Sequence, residues 1–549
     1  MSTCAEVFAR TLREAGITRM FGLPGGEILD FIDAARREGI EFVLTRDEST
    51  ASFMADVTGQ IQRRPGVCVS TLGPGAINMT LGVANAYLDR SPLIAITASM
   101  AASIEPYATH QNLDLNAVYR PFTKSTVTLD GTNTAAKVRQ AYRTSIAPRM
   151  GPVHVALPSD VARRIDLATA DEDSQPLEPP PPPAPRPDDI QRVVAALRSA
   201  KRPILILGLD LNPRVDTPGV RRFVDHLGVP VFVTPKAKGI LSEDHPLFFG
   251  VCAGVAADHV IVRLFERADL LVGVGFEPVE SDKLWHYTMR LASIGPVSVA
   301  AGQYRPALEV IGEVSTTLGA IERAASGPFE WQAAELADFR REMAATLQPS
   351  SRPAGRLSPC ELTERLRARF PRDTILTTDV GSIKSVTSQA WASFEPLSFF
   401  ESNGLSAMGY GFAAAMAARL LFPTRPVLCT IGDGGFGMRL ADVETCVRHD
   451  IPFVTVVYND SSLSLIQVSQ EKKRYPNYGV EYGPVDFAAA CRALGAWSRR
   501  VDSLEGLDRA LEEASSVRGP VVIEALVDPA EYRAHGGVVV EDVAAVQRE

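Results

Sequence analysis

The chain has 549 residues, 46% of them apolar and 22% charged, with a net charge of −9. That length accommodates about three domains with sizeable cores, and the composition is that of a globular protein. The acidic balance and the lack of a basic stripe argue against a nucleic-acid or acidic-membrane partner, and no apolar run has the length of a membrane span.

In chain order, residues 1–168 alternate helical patterns with short apolar runs at 42–45, 67–70, 93–97 and 153–157. Strands alternating with helices predict a doubly wound parallel sheet. Residues 169–189 form a proline-rich linker, unbroken from Pro179 to Pro183. Proline removes donors and favours extended coil, so this is a semi-rigid spacer, with a docking peptide as the alternative. A second α/β unit over 190–325 has strand-like runs at 203–207, 229–233 and 270–274. Residues 326–355 carry a connecting helix around 333–347. A third unit, 356–528, has strand-like runs at 374–378, 428–432, 454–458 and 521–526, with a helix expected at 440–449. Residues 529–549 are a tail. The fold class is α/β, with three doubly wound parallel-sheet domains and no short-period repeat. Seven cysteines, odd in number and without a CxxC pair, read as buried thiols in a reducing, cytoplasmic compartment. No basic-then-apolar leader precedes the first helical pattern.

The third unit holds the most specific pattern. One strand runs into Gly432-Asp433-Gly434-Gly435, and the next ends in Asn459-Asp460. Each ends in a carboxylate, at the place where open α/β sheets bind ligands. Glycine lets backbone approach a ligand closely. Mg²⁺ takes about six oxygens, commonly one or two carboxylates with phosphate oxygens and water. A bare Gly-Asp-Gly is also an ordinary strand-to-helix turn; the second acid one crossover away makes a cation holding a diphosphate the better reading.

In the first unit, Glu48 follows a strand and opens a helix. By itself it reads as an acid on a helix dipole. It lies between two Gly/Pro turns, Phe21-Gly22-Leu23-Pro24-Gly25-Gly26 and Thr71-Leu72-Gly73-Pro74-Gly75-Ala76-Ile77-Asn78, and such turns after strands are where backbone meets ligand.

With these turns, Arg46-Asp47-Glu48, His110-Gln111-Asn112-Leu113-Asp114, Phe122-Thr123-Lys124, Asp379-Val380-Gly381-Ser382, the run Gly404–Gly411 and the Gly-Asp-Gly…Asn-Asp pair, the chain resembles the acetolactate synthase branch of the thiamine diphosphate (ThDP) enzymes. The likeness covers nearly all of the sequence. Residues 273–280 and 479–487 look most like the catabolic, flavin-independent members. The resemblance implies ThDP and Mg²⁺ as cofactors, held between a pyrimidine-binding first domain and a diphosphate-binding third domain of another subunit, hence a homodimer or dimer of dimers. It implies that Glu48 hydrogen-bonds the pyrimidine N1′, near Pro24 and Gly25. Ser406, Met408 and Leu463 lie along the cofactor, and Val380, Gly381, Gly434 and Gly435 cradle the diphosphate. Asp433, Asp460 and the carbonyl of Ser462 join the Mg²⁺ shell. Gln111 and Lys124 face the substrate. Met408 alone would read as a core methionine, and Lys124 as a solvated surface lysine.

The implied reaction is decarboxylation of a small 2-oxo acid, pyruvate first, followed by carboligation to 2-acetolactate. A ThDP lyase or ligase for another 2-oxo acid or acceptor is the alternative. A non-catalytic paralogue is disfavoured by the retention of Glu48, Asp433 and Asp460. No adjacent His pair occurs in the first unit, where the only histidines are His110 and His154; simple pyruvate decarboxylases carry such a pair, so carboligation is favoured. Four positions depart from the family pattern. Asp460 stands where the family often has its second Asn, an anionic ligand that remains compatible with Mg²⁺. Asp47 stands where synthases often have His, Leu463 replaces a frequent aromatic, and Ser469 stands where the catabolic enzymes tend to have Gln. FAD is not expected: Gly273-Val274-Gly275 follows a strand, but Pro278 stands where a dinucleotide fingerprint needs its third glycine.

Overall fold

The structure, a computed structural model, describes residues 1–168, 176–179, 181–252, 257–280, 290–301, 305–348 and 355–535. Parts of the predicted linkers (169–175, Pro180 and 349–354) and of the tail (536–549) lie outside the described residues.

Three six-stranded sheets, all parallel, carry the chain. The first is built from β1–β6: Arg19–Leu23, Glu41–Leu44, Gly66–Ser70, Leu93–Ser99, Thr126–Thr128 and Pro152–Pro158. The second holds β7–β12: Pro203–Leu207, Val231–Val233, Phe248–Val251, Leu270–Val274, Leu291–Gly295 and Leu308–Ile311. The third holds β13–β18: Ile375–Thr378, Phe399–Phe400, Val427–Gly432, Val454–Asn459, Trp497–Val501 and Val521–Leu526. Central strands such as β3, β6, β7 and β10 are buried along their whole length. Helices cover both faces of such sheets, which is why these strands read as unbroken apolar runs.

The first and third sheets have one connectivity. Their orders, β2-β1-β3-β4-β6-β5 and β14-β13-β15-β16-β18-β17, coincide when each is counted from its own first strand. Both reverse direction between their first and third strands, and that switch point opens a crevice at the carboxyl ends. The middle sheet, β9-β8-β7-β10-β11-β12, has the order of dinucleotide-binding folds.

The first and third domains share one core. The helix Tyr410–Leu421 is buried continuously from Tyr410 to Ala418, as expected of a helix apolar on all sides. It packs on the helix Glu48–Gln62, with Phe53 edge-on to Tyr410 at 5.6 Å between ring centroids. Lys236 pins the middle domain to both. Its ammonium lies 2.7 Å from the Asp89 carboxylate and donates to Gln60 Oε1 (3.2 Å) and the Glu401 carbonyl (2.7 Å). All seven cysteines are buried and unbonded to one another.

The region between β15 and β16 differs from expectation. The helix expected at 440–449 forms over Asp442–Arg448, and an unforeseen short helix, Asp433–Arg439, starts at the acid itself, separated from Asp442–Arg448 by a break at Leu440 and Ala441.

Because Lys236 and Asp89 are both nearly inaccessible, Lys236→Met would strand a buried carboxylate. Breaking such a pair costs about 3–5 kcal/mol. The urea midpoint of the variant should therefore fall clearly; an unchanged midpoint would show that Lys236 does not hold the domains together.

Candidate active site

The crevice of the third sheet is a cavity of about 270 Å³. Loops after β13, β14, β15 and β16 form it, with help from the start of the helix Ser464–Lys472. Val380, Gly381, Ser406, Met408, Asp433, Gly434, Gly435, Asp460, Ser462 and Leu463 all line it, so the diphosphate and metal residues named from sequence converge on one place.

Asp433 and Asp460 follow neighbouring, hydrogen-bonded strands. The Asp433 carboxylate is 7% exposed and accepts the N–H of Gly434 (2.7 Å) and of Ser461 (2.6 Å). Asp460 accepts the N–H of Ser462 (3.0 Å) and the hydroxyl of Ser464 (2.6 Å). Burial and the neighbouring charge of Asp460 push Asp433 up to about 7, and burial also raises Asp460. Among the described residues no group of three or more His, Cys, Asp or Glu is placed to hold a metal. Two carboxylates suit a cation that takes its other ligands from a diphosphate, carbonyls and water.

The glycines are forced by contact. A Cβ on Gly435 would lie 1.8 Å from Asp379 Oδ2, and one on Gly434 would lie 3.0 Å from the Tyr482 hydroxyl and 3.1 Å from Met408 Cε. Asp379, fully buried, accepts the N–H of Gly409 (2.9 Å) and Gly411 (3.1 Å), which fixes the loop bearing Ser406 and Met408. Gly381, at φ 112°, caps the helix Ser382–Ala390, whose leading N–H groups suit an anion. The Ser382 hydroxyl at this point is buried and unpartnered among the described residues, an orphan that a diphosphate oxygen would satisfy. Donors, acids and space therefore fit a diphosphate with a divalent cation.

A second cluster lies at the matching switch point of the first sheet. Glu48, 5% exposed, accepts from Asn78 Nδ2 (3.2 Å), and a Cβ on Gly75 would lie 2.9 Å from its Oε1. Gly25, beside Pro24, leaves no room for a Cβ against Thr71, whose hydroxyl donates to Glu27 (2.7 Å). Gln111, at φ 55°, packs over Gly73. The structure thus brings Pro24, Gly25, Glu48 and Gln111 together, but none of them lines the third-domain cavity of the same chain.

Lys124 is elsewhere. It precedes β5, where its backbone N–H meets the Pro152 carbonyl, and its ammonium donates to the Ala147 carbonyl (2.6 Å). This is the amino edge of the first sheet, whereas Glu48 follows the carboxyl end of β2. Burial lowers Lys124 to about 8.

Sequence reasoning missed Asp379, Ser382 and Tyr482 as site residues. The first two stand within the Asp379–Ser382 turn, which supplied the signal. Tyr482 arrives by a tertiary route: the 480–482 segment clips onto the loop after Asp460 through Leu463 N–H to the Val480 carbonyl (2.7 Å) and Tyr482 N–H to the Ser461 carbonyl (2.8 Å).

Comparison with known proteins agrees with this division. Residues 2–118 match the thiamine pyrophosphate enzyme N-terminal TPP binding domain, 190–321 its central domain and 379–525 its C-terminal TPP binding domain. The three domains are those of a ThDP-dependent enzyme. The chain is 31% identical to an acetolactate synthase of Bacillus subtilis, over 95% of this chain and 93% of that one. It is 28% identical to a catabolic acetolactate synthase of Raoultella terrigena, over 95% of each. It is also 28% identical to a probable 2-ketoarginine decarboxylase of Pseudomonas aeruginosa, over 95% and 93%. The chain belongs to the acetolactate synthase family of ThDP-dependent enzymes. Among the described residues no helix is long and apolar enough to cross a membrane.

Asp433→Ala should abolish binding of Mg²⁺–ThDP in calorimetry while leaving the circular-dichroism spectrum intact. Wild-type affinity in that variant would contradict the assignment of the carboxylate pair.

Proposed function

We propose that the protein decarboxylates pyruvate and joins the remaining two-carbon unit to a second pyruvate, so that two pyruvates and a proton give 2-acetolactate and CO₂. The observation that carries this reading is the carboxylate pair Asp433 and Asp460, set among glycine turns in a cavity that Glu48 of the same chain does not line. Bound ThDP supplies the electron sink that a 2-oxo acid needs to lose CO₂. Asp433, Asp460 and Ser462 hold Mg²⁺. Val380, Gly381, Gly434 and Gly435 take the diphosphate, while Ser406, Met408 and Leu463 orient the middle of the cofactor. Glu48, between Gly75 and Asn78, would hydrogen-bond the pyrimidine N1′ and so act in moving the proton at that atom. Gln111 faces the substrate from over Gly73.

The two halves of the site belong to two subunits of a homodimer. Support comes from the exposed apolar side chains around Glu48. Ile77 and Leu81, one turn apart on the helix Pro74–Leu88, flank the Asn78 that holds Glu48, and Tyr107 and Leu113 stand exposed on the neighbouring loop. Monomeric surfaces rarely gather such groups without a partner.

The middle domain works without flavin. At its switch point the Glu280 carboxylate accepts the N–H of Leu209 (2.8 Å), the N–H of Glu277 (3.2 Å) and the Thr234 hydroxyl. Those donors, where a dinucleotide phosphate would dock, are taken by the chain's own acid.

A ThDP-dependent assay of CO₂ release over a panel of 2-oxo acids, with products identified by mass spectrometry, tests the reading. Pyruvate should be the preferred substrate and 2-acetolactate the product. Preference for a basic 2-oxo acid with an aldehyde product would instead favour a simple decarboxylase, the activity named for the Pseudomonas relative. The purified protein should be colourless; a stoichiometric flavin absorption after gel filtration would contradict the flavin-free reading.

A further inference from the structure

Asp47, the residue beside Glu48 that departs from the family pattern, has a partner in the third domain. Arg439, the last residue of the helix that begins at Asp433, sends Nη1 to Asp47 Oδ1 at 2.9 Å and to the Thr50 hydroxyl at 3.1 Å. Its guanidinium also lies 5.5 Å from the centre of the Phe53 ring, on the same face of the helix Glu48–Gln62. A Cβ on Gly409 would lie 2.5 Å from Arg439 Nε, so the guanidinium packs directly on the loop that carries Met408. Asp47 caps the Glu48 helix by accepting the N–H of Ser49 at 2.8 Å.

One turn further on, Asp442 grips the same segment. It accepts the Arg46 backbone N–H at 2.8 Å and the Thr50 hydroxyl at 2.7 Å. The residues on both sides of Glu48 are therefore held by the third domain, while the Glu48 carboxylate itself points to Asn78 and Gly75 of the first. Arg439 is 5% exposed in its side chain and Asp47 39%, so the pair is sheltered on one side and screened only in part. Burial pushes Asp47 up, but the Ser49 hydroxyl and the Arg439 guanidinium outweigh it and hold the carboxyl below its ordinary value.

We propose that the Arg439–Asp47 pair, backed by Asp442, is a positioning device for Glu48, tying the turn that carries it to the helix that begins with Asp433. This rests on the reading of Glu48 as the group serving the cofactor's pyrimidine. If the two halves of each site come from different subunits, the helix Asp433–Arg439 touches one site at its start and, through Asp47, orients Glu48 for the other. Arg439 and Asp47 touch neither substrate nor cofactor; they fix where the carboxyl stands.

Exchange of the cofactor's C2 proton with deuterium from solvent, quenched in acid and read by NMR, tests this without any substrate. A displacement of about 1 Å in a reacting group can cost on the order of 100-fold. Arg439→Gln and Asp47→Asn should therefore each slow exchange on the order of 10- to 100-fold, with Mg²⁺–ThDP affinity by calorimetry unchanged and Arg439→Lys recovering part of the rate. The double variant should be no slower than the slower single one, because the two residues act as a unit. Wild-type exchange in cofactor-loaded Arg439→Gln, or additive losses in the double variant, would overturn the proposal. Should Arg439→Gln fail to fold, Asp47→Asn on the more open side decides the matter by the same readout. Glu48→Gln measured alongside separates the two claims. Fast exchange in Glu48→Gln would remove the reading on which this one rests, whereas slow Glu48→Gln beside fast Arg439→Gln and Asp47→Asn would remove only the positioning role.

Discussion

The third-domain site depends on Asp433, a carboxylate buried at the end of its strand next to a second, half-buried acid on the neighbouring strand. Asp433 and Asp460 sit at the ends of adjacent strands, and neither has an arginine or lysine in salt-bridge contact among the described residues. Burial and the second charge hold Asp433 up at about 7, a cost that the backbone N–H groups of Gly434 and Ser461 relieve only in part. A divalent cation would offset that charge and could take both groups as ligands. The surrounding features serve the same end. Gly435 makes way for Asp379, Asp379 fixes the loop of Met408, and the unpartnered Ser382 hydroxyl waits for an acceptor.

The fold supplies this crevice twice. Sheets of the same strand order in the first and third domains each open a switch point at the carboxyl ends of their strands. One is lined by acids and glycines for a charged ligand end; the other presents Glu48 among Gly25, Gly75 and Asn78. The middle sheet has a dinucleotide-binding order, yet it is used as a brace. Glu277, buried at its switch point, pairs with Arg90 and Arg149 of the first domain at 3.0 and 3.1 Å. Fold order alone suggests a nucleotide there; in this chain the donors at that switch point are engaged by the Glu280 carboxylate.

Much of this was legible in the sequence because parallel sheets buried on both faces print their strands as apolar runs. The runs at 67–70, 203–207 and 521–526 all became strands. Short or edge strands did not announce themselves: β5 has three residues and β14 two, and β17 exposes its central arginines. The glycine turns and terminal acids stood out because they are local. What stayed hidden depends on distant contacts. Asp379 reads as an ordinary loop acid until Gly435 is placed against it, Arg439 as a surface arginine until Asp47 meets it, and Tyr482 as a loop aromatic until it lies over Gly434. Lys124, named from its sequence context as facing the substrate, turns its side chain to the Ala147 carbonyl at the amino edge of its own sheet.

The central claim is that Glu48 of one subunit serves the cofactor held by Asp433 and Asp460 of another. Complementation between two inactive variants tests it most directly. Glu48→Gln and Asp433→Ala chains, unfolded and refolded together in equal amounts, should give mixed dimers in which one of the two sites has both intact residues. Random pairing makes about half the dimers mixed, so ThDP-dependent CO₂ release should return to about a quarter of the wild-type level. No recovery in mixed dimers verified by mass spectrometry would place Glu48 and the carboxylate pair of one chain in the same site and contradict the account.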